Sequence, residues 1–160
     1  MGNFNEFTFS TKIFLKTYRW RTIDPVPWAA ADRPLNRCRV GLVSSAGMVL
    51  PDQQRFDEDR RGGDASLREI ADGTDVRSMM QAHRSHSFDR EPLQRDPEIA
   101  FPLNRLHELA EEGIIGSANR RHLSFMGSIT APSALIRESA PEAARMFRDD
   151  GVDVALLVPV

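Results

Sequence analysis

Residues 152–160 read "VDVALLVPV", a run in which nearly every side chain is apolar and valine recurs. A strand with one wet face alternates apolar and polar residues, so an unbroken run is expected to be a strand buried on both faces of a parallel sheet. The residues before it read "SAPEAARMFRDDG". Ser139-Ala140-Pro141-Glu142 has capping-box spacing, Ala143, Ala144 and Phe147 supply an inward face, and Gly151 ends the helix before the strand begins. Helix followed by buried strand is the repeating unit of α/β domains. Such a strand is normally followed by a loop and a covering helix, and none follows Val160, so the domain is expected to be incomplete there.

The same order repeats toward the N-terminus. From Phe101 a helix is predicted, with Pro102 in its first turn, Leu103, Leu106 and Ala110 at helical spacing, and Gly113 as its stop. "HLSFMGSI" is a strand candidate after it, "ASLREI" a short one before it, and "DQQRFDEDRRGG" a polar surface loop. "RVGLVSSAG", from Arg39, reads as a strand running into a small-residue turn. The expected fold is α/β, an open, mostly parallel sheet with flanking helices in Rossmann-like layers. It occupies residues 39–160. Residues 1–38 form an N-terminal arm: a short helix within 10–20 carrying Ile13, Phe14 and Tyr18, then a linker with Pro25, Pro27 and Pro34. Residues 71–97 show no defined pattern.

The chain has 160 residues, 41% hydrophobic and 28% charged, which suits one globular domain. With 21 basic and 23 acidic residues mixed throughout, it has no field to attract nucleic acid or an anionic membrane. Glu6, Lys12, Lys16 and Arg19 interrupt the N-terminus, so neither an export signal nor a membrane span is expected, and Glu6 stands where a myristoylation signal needs Ser or Thr. Cys38 is the single cysteine. It allows no internal disulfide, cysteine metal cluster or CxxC pair, and a cytoplasmic location is expected.

Several residues carry candidate chemistry. Ser44, Ser45 and Gly47 follow the first strand, where small residues let backbone N–H groups approach a carboxylate or phosphate. A plain tight turn explains them equally well. "HRSHSFD" holds His83, His86 and Asp89, a pattern open to metal ligation or acid/base work, but a solvated loop is the simpler alternative and no metal is assigned. His107 is read as a surface side chain of its helix, and Phe125 and Met126 as core. These residues by themselves name no catalytic group.

Taken in order, "PWAAADRPLNRCRVGLVSSAGMVLP", "GGDASLREI", "SHSFDREPLQRDPEIAFPLNRLHELAEEGIIG", "HLSFMGSI" and "DGVDVALLVPV" resemble the selenoprotein B family of the glycine/sarcosine/betaine and D-proline reductases. The resemblance runs from about Pro27 to Val160. It implies a redox selenocysteine or cysteine directly after the "LLVPV" run at 156–160, so the chain is expected to be truncated before it, as when a UGA codon is taken for a stop. It further implies reductive cleavage of a C–N bond of an amino acid or related small substrate by selenolate or thiolate attack. A pyruvoyl group on a partner subunit would activate the substrate, and a dithiol or thioredoxin-type reductant would regenerate the enzyme, with no cofactor held by this chain itself. The implied partners are other reductase subunits. By position, Ser44, Ser45 and Gly47 would hold the substrate carboxylate and His86 and Asp89 would orient a proton-transfer group. Asp64, Ser66 and Arg68 form a second substrate-binding set. The alternative is a non-catalytic binding or scaffold domain lacking the redox half, with the chain alone expected to be inactive in either case.

Overall fold

The computed structural model describes residues 7–18, 22–85 and 90–160. The chain divides into two compact units, Met1–Ala30 and Ala31–Val160. In the first, α1 spans Phe9–Thr17. Its start is fixed by Thr8, whose hydroxyl accepts the Thr11 N–H at 3.4 Å. The second unit begins at Ala31, so residues 31–38, placed with the arm on sequence grounds, belong to it; Cys38 is 1% exposed there.

The second unit is built on β1 (Arg39–Ser44). On one flank β7 (Val154–Val158) runs parallel to it, from Val40 opposite Val154 to Ser44 opposite Val158. On the other flank β5 (Ser117–Ala118) pairs in parallel with the start of β1 and β6 (Arg121–Phe125) with its end. β3 (Leu67–Ala71) lies antiparallel beyond β6, which completes a mixed, mostly parallel five-stranded sheet. A short antiparallel pair, β2 (Met48–Val49) with β4 (Met80–Gln81), stands apart from it. The α/β class expected from the sequence is the one observed.

Alternation of side chains along β1 assigns the two faces. Val40 and Leu42 join the main core with Ile70, Phe101 and the buried residues Leu103 and Leu106 of α3 (Leu103–Glu111). A short helix, α2 (Glu91–Arg95), adds Leu93 to the same core. Gly41 faces the other way, toward α4 (Ala140–Asp149). The Phe147 ring packs so closely that a Cβ on Gly41 would sit 2.7 Å from it, so no larger residue fits without shifting that ring.

Two local expectations change. β7 is not buried on both faces: it pairs only with β1 among the described residues, and Leu156 is 39% and Leu157 67% exposed. An all-apolar run reports hydrophobicity, not position in the sheet. The capping box at 139–142 does not form either. Ser139 has helical dihedrals, φ −69° and ψ −42°, because a turn of π-helix at Leu135–Ser139 leads directly into α4. Its hydroxyl donates instead to the Ala65 carbonyl at 2.6 Å, tying the helix to the segment before β3.

Candidate functional site

The parallel strands β1, β6 and β7 end on the same side of the sheet, and their following loops are laced together there. The Ser45 N–H donates to the Val158 carbonyl at 3.1 Å, Gly127 N–H to the Ser45 carbonyl at 2.8 Å, and Gly47 N–H to the Phe125 carbonyl at 3.0 Å. Ser45 Oγ accepts the Val160 N–H at 2.9 Å. Open α/β sheets bind ligands at this carboxyl end.

Two glycines make the lacing possible. Gly47 has φ +70°, and a Cβ on it would lie 2.2 Å from the Ala82 carbonyl oxygen, inside any permitted contact. The Ala82 N–H in turn donates to the Gly47 carbonyl at 2.8 Å, which brings the segment after β4 against the β1 loop. His83 enters the site by that route. It is 2% exposed, and its Nε2 would lie 3.1 Å from a Cβ on Gly127. His83 Nδ1 accepts the Ser85 N–H at 3.1 Å, so the neutral ring carries its proton on Nε2, the nitrogen beside Gly127. Burial and the Arg90 guanidinium both push its pKa below the usual histidine value, which keeps the ring neutral.

The residues singled out from the sequence have different fates. Ser44 is fully buried and its hydroxyl donates to the Ala100 carbonyl at 2.6 Å while accepting the Ala46 N–H at 3.2 Å, an internal brace. Ser45 and Gly47 lie at the carboxyl end, but the Gly47 N–H is already engaged. Asp64, Ser66 and Arg68 come together elsewhere, as the frame of the 52–63 loop. Asp64 accepts the Asp57 and Ser66 N–H groups, both at 2.9 Å; burial alone would raise its pKa, and these bonds override it and hold the carboxyl low. Arg68 donates to the Gln54, Arg55 and Leu67 carbonyls and to Ser66 Oγ, with its guanidinium 4.3 Å from the centre of the Phe56 ring. His86 and Asp89 lie outside the described residues. His83 and Gly127 were missed as a pair because 44 positions separate them, and only the β2–β4 pairing brings them together.

A second polar cluster lies toward the amino end of β6. Asp72 Oδ1 accepts from His107 Nε2 at 2.7 Å and from the fully buried His122 Nε2 at 2.9 Å. His122 Nδ1 accepts the Leu42 N–H at 3.0 Å, so the ring is locked as its neutral Nε2–H form. Burial lowers its pKa against the opposing pull of Asp72. His107 is thus part of an internal bridge, where the sequence suggested a plain surface residue. Among the described residues no group of three or more His, Cys, Asp or Glu could hold a metal ion, and no helix is long and apolar enough to cross a membrane.

An open, mostly parallel sheet with its loops gathered at the carboxyl end defines an α/β protein. Sequence comparison makes the class specific: the profile of the glycine/sarcosine/betaine reductase selenoprotein B family matches residues 7–159, and the chain belongs to that family. It is 32% identical over 136 residues to the D-proline reductase subunit gamma of Acetoanaerobium sticklandii, covering 84% of this chain and 54% of that protein. It is 26% identical to the glycine reductase complex component B subunit gamma of Peptoclostridium acidaminophilum, over 88% of this chain and 32% of the relative. With the sarcosine reductase complex component B subunit beta of the same organism it shares 25% identity, over 90% of this chain and 33% of the relative. The chain therefore spans between a third and about half the length of these relatives, all of them subunits of reductases. No solved structure matches it significantly.

Proposed function

We propose that the chain forms the part of a selenoprotein B-type reductase that presents a selenolate or thiolate to an amino acid or related small substrate. The reaction is a two-electron reduction. A dithiol gives up two electrons and two protons and becomes a disulfide, while the C–N bond of the substrate is replaced by C–H and N–H. A pyruvoyl group on a partner subunit would supply an electron-withdrawing carbonyl that activates the substrate nitrogen. The reducing residue required here lies outside the 160 residues, since Cys38 is buried just before β1, at the end of the strand opposite Ser45. Its Sγ points at the Arg33 and Pro34 carbonyls, 3.7 and 3.5 Å away.

The observation that carries this reading is the bond from Val160 N–H to Ser45 Oγ. It fixes the backbone at the very position after which the family resemblance places the redox residue, and it does so at the carboxyl end of the sheet. Ser45 then acts as a positioning residue for that backbone, and His83 offers a neutral Nε2–H on the same side as a hydrogen-bond donor to the substrate, with the proton for the departing nitrogen coming from the dithiol or solvent. A selenolate suits the role because it is ionised and nucleophilic at neutral pH, as thiolates are once their pKa is lowered. The test is to tag the gene product in its own organism, isolate what assembles with it, and measure dithiol-dependent ammonia or amine release from glycine, sarcosine and betaine and ring opening of D-proline to 5-aminopentanoate. Turnover of at least one is expected. Partner subunits retained with no reduction of any substrate would instead identify a scaffold.

A further inference from the structure

A cavity of about 550 Å³ opens beside the β2–β4 pair, on the α2 side. Its volume falls in the range of small-molecule sites. Met48, Met79 and Leu93, each less than a tenth exposed, supply its apolar lining. Arg77, Arg90 and Arg95 supply its charge, and no acidic side chain lines it among the described residues. Arg90 and Arg95 are offset by Glu58 and Glu91. The Arg77 guanidinium has neither an ion pair nor a hydrogen bond among the described residues, which leaves its planar fork open for a carboxylate. Gln81 also lines the cavity, and its Nε2 is a buried donor with no acceptor. Buried donors are nearly always satisfied, so this one lacks a partner, which a bound oxygen would provide once the amide turns toward the cavity.

We infer that this cavity binds a small organic carboxylate with an apolar body. The carboxylate sits between Arg77 and the Gln81 amide, and the carbon skeleton lies on Met48 and Met79. The inference stands apart from the reduction proposed above and is tested by binding alone. The chain contains six methionines, so ¹³C-methyl resonances of labelled protein give a small, assignable set of probes. Titration with hexanoate should shift the Met48 and Met79 methyls saturably and leave those of Met126 and Met146 in place. Acetate and hexylamine should each bind at least about tenfold more weakly, since one lacks the apolar body and the other the charge. Arg77→Gln and Gln81→Met should each weaken hexanoate about three- to tenfold, with far-UV spectra unchanged. Absence of saturable shifts at Met48 and Met79, hexylamine binding as well as hexanoate, or both variants binding like wild type would overturn the inference.

Discussion

Asp150→Asn removes one charge from a buried junction and changes almost nothing in shape. The Asp150 side chain has no solvent exposure and sits at the end of α4. Its carboxylate accepts from Asn119 Nδ2 at 3.0 Å, from Arg120 Nε and a terminal nitrogen at 3.0 and 2.6 Å, and from Arg121 Nε and a terminal nitrogen at 2.6 and 3.0 Å. Arg120 is 75% exposed and regains water when the charge goes, so its loss is worth no more than about 1 kcal/mol. Arg121 is 21% exposed and Asn119 is buried, and charge-assisted bonds to such groups contribute about 1.5–3 kcal/mol each. The substituted amide also turns an –NH₂ toward donors. The sum after rehydration is about 3 kcal/mol, or roughly 10 °C in Tm for a domain of this size. Burial by itself would raise the Asp150 pKa, but the Arg121, Asn119 and Arg120 bonds override it and hold the carboxyl far below the carboxylate range. A depressed folded-state pKa stabilises above the unfolded value near 3.8 and loses that stabilisation as pH falls below it. Urea melts of both proteins should therefore differ by a constant amount from pH 5 to 8 and converge below about pH 4. A difference under about 0.5 kcal/mol at pH 7 would refute the role given to this junction.

Three further outcomes follow from the site and its surroundings. Gly47→Ala forces a Cβ against the Ala82 carbonyl at a positive φ and should cost at least about 2 kcal/mol in a urea melt; a melt like wild type would mean that the turn is not needed. Ser45→Ala releases the Val160 N–H and should cost only about 1 kcal/mol of stability, yet lower turnover of the assembled reductase at least about tenfold; unchanged turnover would remove Ser45 from the site. His122 is held neutral by burial, so the unfolded chain gains a proton first, and stability should fall as pH drops below about 6.5, with a shallower slope in His122→Gln; equal slopes would refute the assignment.

What the sequence disclosed was whatever depends on near neighbours. Apolar spacing placed α3, the pattern in "RVGLVSS" placed β1, and "HLSFMGSI" placed β6, because burial of one face is written into successive residues. Position within the sheet was not written there. The run at 152–160 is as apolar as a strand buried on both faces, yet among the described residues it pairs with β1 alone and leaves Leu157 exposed. The candidate site was half legible. Ser45 and Gly47 follow a strand, and that local signal was readable. His83 takes its place only through the β2–β4 pairing and the Gly47 turn, and Asp150 finds its partners 29 to 31 positions away. Asp64 and Arg68 were offered as a second substrate-binding set under the family resemblance; their side chains bond the loop that they support.

The most direct measurement is to map the reactive residue in the reductase isolated through this gene product. The complex is reduced with dithiothreitol, treated briefly with iodoacetamide with and without substrate, and its peptides are sequenced by mass spectrometry. Rapid alkylation of a selenocysteine or cysteine directly following Val160, slowed by substrate and accompanied by loss of activity, is the expected result, with Cys38 reacting only on unfolding. Loss of activity that tracks Cys38, or an active complex with no reactive residue at that position, would contradict the proposal that the Ser45 end of β1 presents the reducing group.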